Sequence, residues 1–375
     1  AVAVIVDDVA TTQSGQALAD LTDIERVEIL RGPQSTLFGR NASAGVINVI
    51  TKRPTLEFEA GAELTLTDDN QEKVSAWLSG PVTDTMGYRV SGYYDDIEGW
   101  VENLNVAGDT NGSRSWGINS RLDWQASDAV SLRLQAKYDD STSECCSGSI
   151  KYLEDPDTAA VLVFLPLIEV APEILPFVGD DNTTITVDDL VKVDSESLQL
   201  SFKAEWDVLD HSLVSITAYN DWTLDEFNEL DNTSFPVLDY PFGAGTIADP
   251  SGSGRDTFTI ASNRGVVQFN QLEVDFFSQE FRLLSPTTDW GNYIAGLYYS
   301  KMEDSRRFDR YVPGLGVAAG LDGHNEDSNK SSALSAFGQM TINLGDRSRF
   351  TAGARYQYEE IEVDQTEIDL SRIHI

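Results

Sequence analysis

Few residues in this chain have the type and spacing to do chemistry. Histidine occurs three times and cysteine twice. The cysteines are adjacent, Cys145-Cys146, and the histidines lie far apart. That excludes a disulfide framework and a zinc ribbon, and it argues against a histidine-based metal site. No Ser-His-Asp or Cys-His set can be assembled, so neither an enzyme nor a bound cofactor is expected. The cysteine pair has two readings, redox chemistry in an oxidising compartment or an incidental structural pair. It opens a segment, 141–193, with ten acids and two bases. Asp180, Asp181, Asp188 and Asp189 there are oxygen ligands suited to Ca²⁺, or simply part of a solvated loop. Ser251-Gly252-Ser253-Gly254-Arg255 lacks the spacing and the lysine of a phosphate loop. Phe227, Phe235, Tyr240, Phe242, Phe258 and Phe269 in the 226–270 segment could stack on a ligand ring or on one another.

The elements that would hold these residues follow from charge and periodicity. In 375 residues, Asp and Glu outnumber Lys and Arg by 62 to 26, a net charge of −36. A nucleic-acid partner needs a basic footprint and is excluded. No apolar run reaches the ~18 residues of a transmembrane helix. A membrane barrel signals itself by alternation instead, and alternation dominates from about residue 57. Leu132, Leu134, Ala136 and Tyr138 alternate with Arg133, Gln135, Lys137 and Asp139. Leu198, Leu200, Phe202, Ala204 and Trp206 alternate with Gln199, Ser201, Lys203, Glu205 and Asp207. Such a strand has one face in apolar surroundings and the other in polar ones.

Eleven strands are expected, near 57–67, 72–81, 86–97, 113–126, 129–140, 194–208, 211–225, 271–285, 290–303, 331–345 and 348–362. After the first hairpin their connections alternate, short at 82–85, 127–128, 209–210, 286–289 and 346–347, long at 98–112, 141–193, 226–270 and 304–330. Short periplasmic turns and long extracellular loops give an outer-membrane barrel that rhythm. Trp124, Trp206 and Trp290 all flank short turns, where an aromatic girdle would lie. The polar face carries Arg121, Asp123, Arg133, Lys137, Lys203, Glu205, Glu280, Arg282 and Arg355. That is too much charge for a dry core, and it suits a wet or plugged lumen.

Residues 1–54 differ. They hold six acids and five bases, and read as strand (Val2–Val6), turn (Asp7-Asp8), helix (Ser14–Leu21), strand (Ile24–Leu30), glycine-rich loop and strand (Val46–Thr51). Within them, Asp23 to Pro54 reads DIERVEILRGPQSTLFGRNASAGVINVITKRP. This segment resembles the plug domain of TonB-dependent outer-membrane receptors in Val27-Glu28-Ile29-Leu30-Arg31-Gly32-Pro33, Leu37-Phe38-Gly39, Ala44-Gly45-Val46-Ile47-Asn48 and Thr51-Lys52-Arg53-Pro54. Gly32, Gly39 and Gly45 permit backbone conformations or close approaches that a Cβ would block, and Pro33 fixes φ after the strand.

The resemblance implies a mainly β fold in two parts. The C-terminal part of a plug occupies 1–54, and the N-terminal half of a transmembrane antiparallel β-barrel, about 11 of 22 strands, occupies 55–375. It implies energised uptake of a scarce ligand, most often a ferric siderophore, across the outer membrane of a Gram-negative bacterium. The implied partners are the inner-membrane TonB complex, outer-membrane lipid and lipopolysaccharide, and the small-molecule ligand. It implies that plug arginines, Arg31 and then Arg40, face carboxylates of the barrel wall, for which Glu205 and Glu280 are the candidates. Uptake of a sugar or cobalamin, and a passive porin-like barrel, stay open as alternatives. The odd strand count, an opening without methionine or basic leader and a close just after a strand lead us to expect part of a longer protein, with the TonB box outside this sequence.

Overall fold

In the computed structural model the described residues are 2–12, 22–39, 41–104, 108–145, 181–185, 187, 190–229, 245–247, 258–260, 267–311, 321–345 and 347–369. The expected helix at Ser14–Leu21 lies outside them.

The N-terminal unit comprises Val2–Val6 (β1), Val9–Ala10 (β2), Ile24–Arg31 (β3), one helical turn at Ser35–Phe38 (α1) and Gly45–Thr51 (β4). Its sheet order is β2-β1-β4-β3, with β1 parallel to β4 and β3 antiparallel to it. The run Ala3-Val4-Ile5-Val6 is buried along its whole length, as a strand covered on both faces requires. Ala3, Ile5, Ala42 and Val46 pack with Leu30 and Phe38 on one side. Val4, Val6 and Val49 pack with Ile24 and Ile47 on the other. Asp7 and Asp8 turn the chain from β1 into β2, both at positive φ, 47° and 72°. Asp tolerates that conformation in a two-residue hairpin, and the turn puts two carboxylates at the tip of the unit.

The remaining strands are Glu59–Leu66 (β5), Gln71–Thr83 (β6), Met86–Ile97 (β7), Val101–Asn103 (β8), Asp109–Thr110 (β9), Ser113–Ser127 (β10), Val130–Ser143 (β11), Thr184–Ile185 (β12), Lys192–Val208 (β13), His211–Glu229 (β14), Gly245–Ile247 (β15), Phe258–Ile260 (β16), Val267–Leu284 (β17), Gly291–Tyr311 (β18), Leu321–Asn343 (β19) and Arg349–Asp369 (β20). Eleven of them form one sheet in chain order, β5-β6-β7-β10-β11-β13-β14-β17-β18-β19-β20, with β5 and β20 at its two edges. These are the eleven strands expected from alternation. Their ends fall within a few residues of expectation except at the far ends of β18, β19 and β20, which run on. β18 continues to Tyr311, β19 begins at Leu321 and β20 reaches Asp369. Past the apolar band both faces meet water, so the ladder continues while the alternation that announces it stops.

The two faces separate as the pattern requires. Ile118, Leu134, Leu200, Phe202, Phe281, Leu297 and Leu334 are exposed on the outer face, while Arg89, Arg121, Gln135, Ile216, Ser278 and Ser335 are buried on the inner one. Trp124, Trp206 and Trp290 are exposed at the tight-turn end, and Tyr94, Trp116, Tyr299 and Tyr358 form a second exposed aromatic level nearer the long connections. Along β10, Trp116 and Trp124 are about eight residues apart. At ~3.3 Å per residue and a tilt of 35–45°, that spans about 20 Å, close to the ~25 Å apolar band of outer-membrane barrels. Inside this band, polar atoms on the outer face satisfy one another. Thr217 Oγ1 donates to Gln279 Oε1 at 2.6 Å, and Gln279 Nε2 donates to Ser215 Oγ at 3.0 Å, which spares the cost of bare polar groups in hydrocarbon.

Parts of the long connections are ordered against one another. β8 pairs with β9 and, in parallel, with β12, around Val101, Ile185 and Val187. Asn103 Nδ2 donates to the Val187 carbonyl at 3.1 Å and Asn103 Oδ1 accepts from its N–H at 3.2 Å. Phe227 and Phe269 pack ring to ring, centroids 5.0 Å apart. Phe235, Tyr240, Phe242, Asp180, Asp188, Asp189 and the Ser251–Arg255 run lie outside the described residues. Cys145 is disulfide-bonded; Cys146, the chain's other cysteine, lies outside them too.

Candidate functional site

The concave face of the large sheet holds the N-terminal unit, and the contact between them is built on carboxylates of the unit and bases of the wall. Asp23, just before β3 and at a φ of 61°, accepts two hydrogen bonds from the Arg89 guanidinium on β7, one of them 2.6 Å from Nε. Both side chains are almost fully buried, 2% and 5% exposed. The Trp77 ring lies 4.3 Å from the Arg89 guanidinium carbon, and Lys52 Nζ is 3.9 Å from Asp23. Close by, the Thr55 N–H donates to Ser79 Oγ at 2.9 Å, so the chain leaving the unit is clipped to the wall.

At the tip, Asp7 accepts from the Thr51 N–H at 3.1 Å, from Thr51 Oγ1 at 2.6 Å and from Gln135 Nε2 at 2.9 Å. Arg121 lies 3.7 Å away. Asp8 accepts from Lys203 Nζ at 2.8 Å and stands 3.6 Å from Arg282. Ladder pairing sets Arg89, Arg121 and Gln135 side by side on the wall and puts Lys203 beside Arg133. Wall carboxylates two residues along the same strand orient the bases, Asp123 for Arg121 at 3.0 Å, Glu205 for Lys203 at 2.7 Å and Glu280 for Arg282 at 2.5 Å. Period two puts residues i and i+2 on one face, so the base-x-acid spacing is readable in sequence.

Burial raises the Asp8 carboxyl, but the charge and hydrogen bond of Lys203, with the charges of Arg282 and Arg133, outweigh it and hold the group below its ordinary value of 3.8. A depressed folded value means that this contact stabilises above the ordinary carboxylate range and is lost as pH falls below it. We therefore expect acid to loosen the β1–β2 tip below about pH 4, and Asp8→Asn to remove that part of the acid sensitivity. Hydrogen exchange of β1 and β2 amides between pH 3 and 6 measures it. An unchanged acid profile in Asp8→Asn would rule it out.

The motif residues fall into three groups. Glu28 and Asn48 bond to each other across the β3–β4 ladder, Asn48 Nδ2 donating to Glu28 Oε2 at 3.0 Å. Gly32 and Gly39 have positive φ, 84° and 74°. A Cβ on Gly39 would stand 3.1 Å from the Arg355 guanidinium, and one on Gly45 would stand 2.7 Å from the Leu30 carbonyl oxygen. Backbone cannot step aside as a side-chain end can. Gly45→Ala should cost about 1–3 kcal/mol and show as faster exchange of β3 and β4 amides; wild-type protection would contradict the close approach. Arg31 and Pro33 are exposed at the end of β3, and Arg31 has no ion pair among the described residues. Arg40 lies outside them. The ion pairs observed between unit and wall thus run opposite to the sense implied by the resemblance, with acids on the unit and bases on the wall. Glu205 and Glu280 do lie in this contact, but they hold Lys203 and Arg282, which reach Asp8, and among the described residues neither forms an ion pair with Arg31.

Residues 1–46 match the family model described as TonB-dependent Receptor Plug Domain. The Probable TonB-dependent siderophore receptor PirA of Acinetobacter baumannii is 33% identical over 123 residues, 30% of this chain and 16% of that protein. The Ferric enterobactin receptor of Pseudomonas aeruginosa is 21% identical over 376 residues, 94% of this chain and 44% of that protein. Among solved structures, the ferric yersiniabactin uptake receptor FyuA of Yersinia pestis superposes with a TM-score of 0.74 at 16% identity, over 98% of this chain and 49% of that one. Residues 1–46 therefore match the plug family, and the chain as a whole shares the fold of the solved receptor structure. It spans less than half the length of the relatives and structures just named.

Proposed function

We propose that this chain belongs to a receptor that takes up a ferric siderophore across the outer membrane, energised by the inner-membrane TonB complex. In this reading residues 1–54 act as plug and 55–375 as wall, and the function is transport, with no chemical reaction. The observation that carries it is a folded plug clipped into the concave face of the wall through Asp23, Asp7 and Asp8. A passive pore has no use for such a stopper, whereas a gated route needs one. The names of the relatives, a siderophore receptor and a ferric enterobactin receptor, favour an iron chelate over a sugar or cobalamin. The apolar outer band between its aromatic levels suits outer-membrane lipid, with lipopolysaccharide at the long-connection end. We assign Glu205 and Glu280 the task of orienting Lys203 and Arg282, and hold Arg31 for a wall carboxylate other than these two.

The test is growth. The receptor as its gene encodes it is expressed in a strain without siderophore receptors of its own, under iron limitation, on a panel of ferric chelates, with vitamin B12 and oligosaccharides as separate sole sources. Rescue by a ferric chelate is expected. Rescue by none of them, with growth on cobalamin or oligosaccharide alone, would overturn the reading.

A further inference from the structure

The polarity of the plug–wall contact says something about what passes through it. We propose that the wall bases holding the plug carboxylates form a transit site for an anionic ligand, and that Asp7, Asp8 and Asp23 occupy it as resident counter-charges while the plug is seated. The proposal rests on the uptake reading above and adds the chemical class of the cargo at this level of the lumen.

At this level the wall presents Arg89, Arg121, Arg133, Lys203, Arg282 and Arg355 against its own Asp123, Glu205 and Glu280. To these the plug adds Asp23 on Arg89, Asp7 near Arg121 and Asp8 between Lys203 and Arg282. A basic ring is not what composition alone would place here, since the chain as a whole carries −36. Nor do the bases serve each other, because Arg89 and Arg121 are ladder neighbours and both are buried. A buried base whose carboxylate is withdrawn is left uncompensated. If the plug tip moves, another anion must replace the plug carboxylates or water must flood the ring. Carboxylate and catecholate oxygens fit guanidinium donors as the plug aspartates do.

The ring also has a vacant end. Between β1, β2 and α1 on one side and β14, β17, β18, β19 and β20 on the other lies a cavity of about 450 Å³ lined in part by Asp8, Glu280, Arg282 and Arg355, within the size range of small-molecule sites. Arg355 donates to Ser335 Oγ at 3.0 Å and lies beside the Tyr298 and Phe337 rings, 5.5 and 5.3 Å from their centroids. Its Nε is buried with no acceptor, and among the described residues no carboxylate forms an ion pair with it. Glu280, which lines the same cavity, is engaged by Arg282. An anionic ligand entering the cavity would meet Arg355 and Arg282 first and Lys203 next, where Asp8 gives way to it.

Chemical rescue in the purified receptor as its gene encodes it tests this without knowledge of the natural ligand. Asp8→Asn keeps the shape of the side chain and vacates the anion position between Lys203 and Arg282. Thermal unfolding is followed in sodium citrate and in sodium chloride at matched ionic strength. Citrate should raise the Tm of Asp8→Asn by several degrees over chloride. It should leave the wild type nearly unchanged, and the rescue should vanish in Asp8→Asn/Lys203→Gln/Arg282→Gln. Asp7→Asn, beside Arg121, repeats the measurement at a second position should the Asp8 variant not assemble. No citrate-specific rise in either variant, or an equal rise in wild type and triple variant, would overturn the transit site while leaving the uptake reading intact. Failure of the growth test with citrate rescue present would leave an anion site on the wall and overturn its role in uptake.

Discussion

Removing Asp23 or Arg89 alone should loosen the plug more than any other single side-chain change at its boundary. Both groups are buried, both oxygens of the carboxylate are engaged by one guanidinium, and Trp77 backs that guanidinium. Breaking a buried pair from one side leaves the other charge uncompensated and costs about 3–5 kcal/mol. Asp23→Asn and Arg89→Gln should each raise hydrogen exchange in β3 and β4 by the corresponding factor. The double variant should recover part of the loss, because neither charge is then stranded. A control lies on the same sheet. Arg26 pairs with Glu25 and Glu28 in an exposed setting, and Arg26→Gln should leave that protection nearly unchanged. Equal effects at Arg26 and Arg89 would show that the clip does not hold the plug.

A second large effect is expected on the outer face. Leu200 is 40% exposed there, level with Ala136 and Tyr219 in the ladder, while Gln199 points inward. An arginine facing lipid near the midplane costs about 2–4 kcal/mol, and an arginine facing a charged lumen costs far less. Leu200→Arg should therefore reduce the amount of heat-modifiable, folded receptor in the outer membrane well below that of Gln199→Arg. Equal yields would mean that the outer face is not in lipid.

The strands were legible in the sequence because burial on one face alone leaves a period of two, and Leu198 to Asp207 keep that period without a break. The turns were legible for the same reason, since alternation stops sharply at Asp128 or Asp210. The extensions of β18 and β19 were not, because around His324 to Ser328 both faces are polar and nothing marks a ladder that continues by backbone bonding alone. The plug motif announced its glycines, and each has the backbone reason a glycine needs, positive φ at Gly32 and Gly39 and a facing carbonyl at Gly45. The bases of the wall were visible as an inner charged face, but their partners were not. Asp7 and Asp8 read as an ordinary turn, and Asp23 only as the first residue of the motif segment. Only the fold brings Asp8 next to Lys203 across nearly two hundred residues of chain. The i, i+2 pairing of Arg121 with Asp123 and of Glu280 with Arg282 was the one local signal that these bases were being aimed.

The most direct test of the account is the energy dependence of uptake in cells carrying the receptor as its gene encodes it, on the ferric chelate that rescues growth. Surface binding is measured in the cold, and accumulation at growth temperature with and without a protonophore. A plug clipped to the wall and released from the inner membrane predicts that binding survives collapse of the proton-motive force while accumulation stops. Accumulation that continues at the same rate in de-energised cells would contradict it, and would make the barrel a passive pore with an incidental stopper.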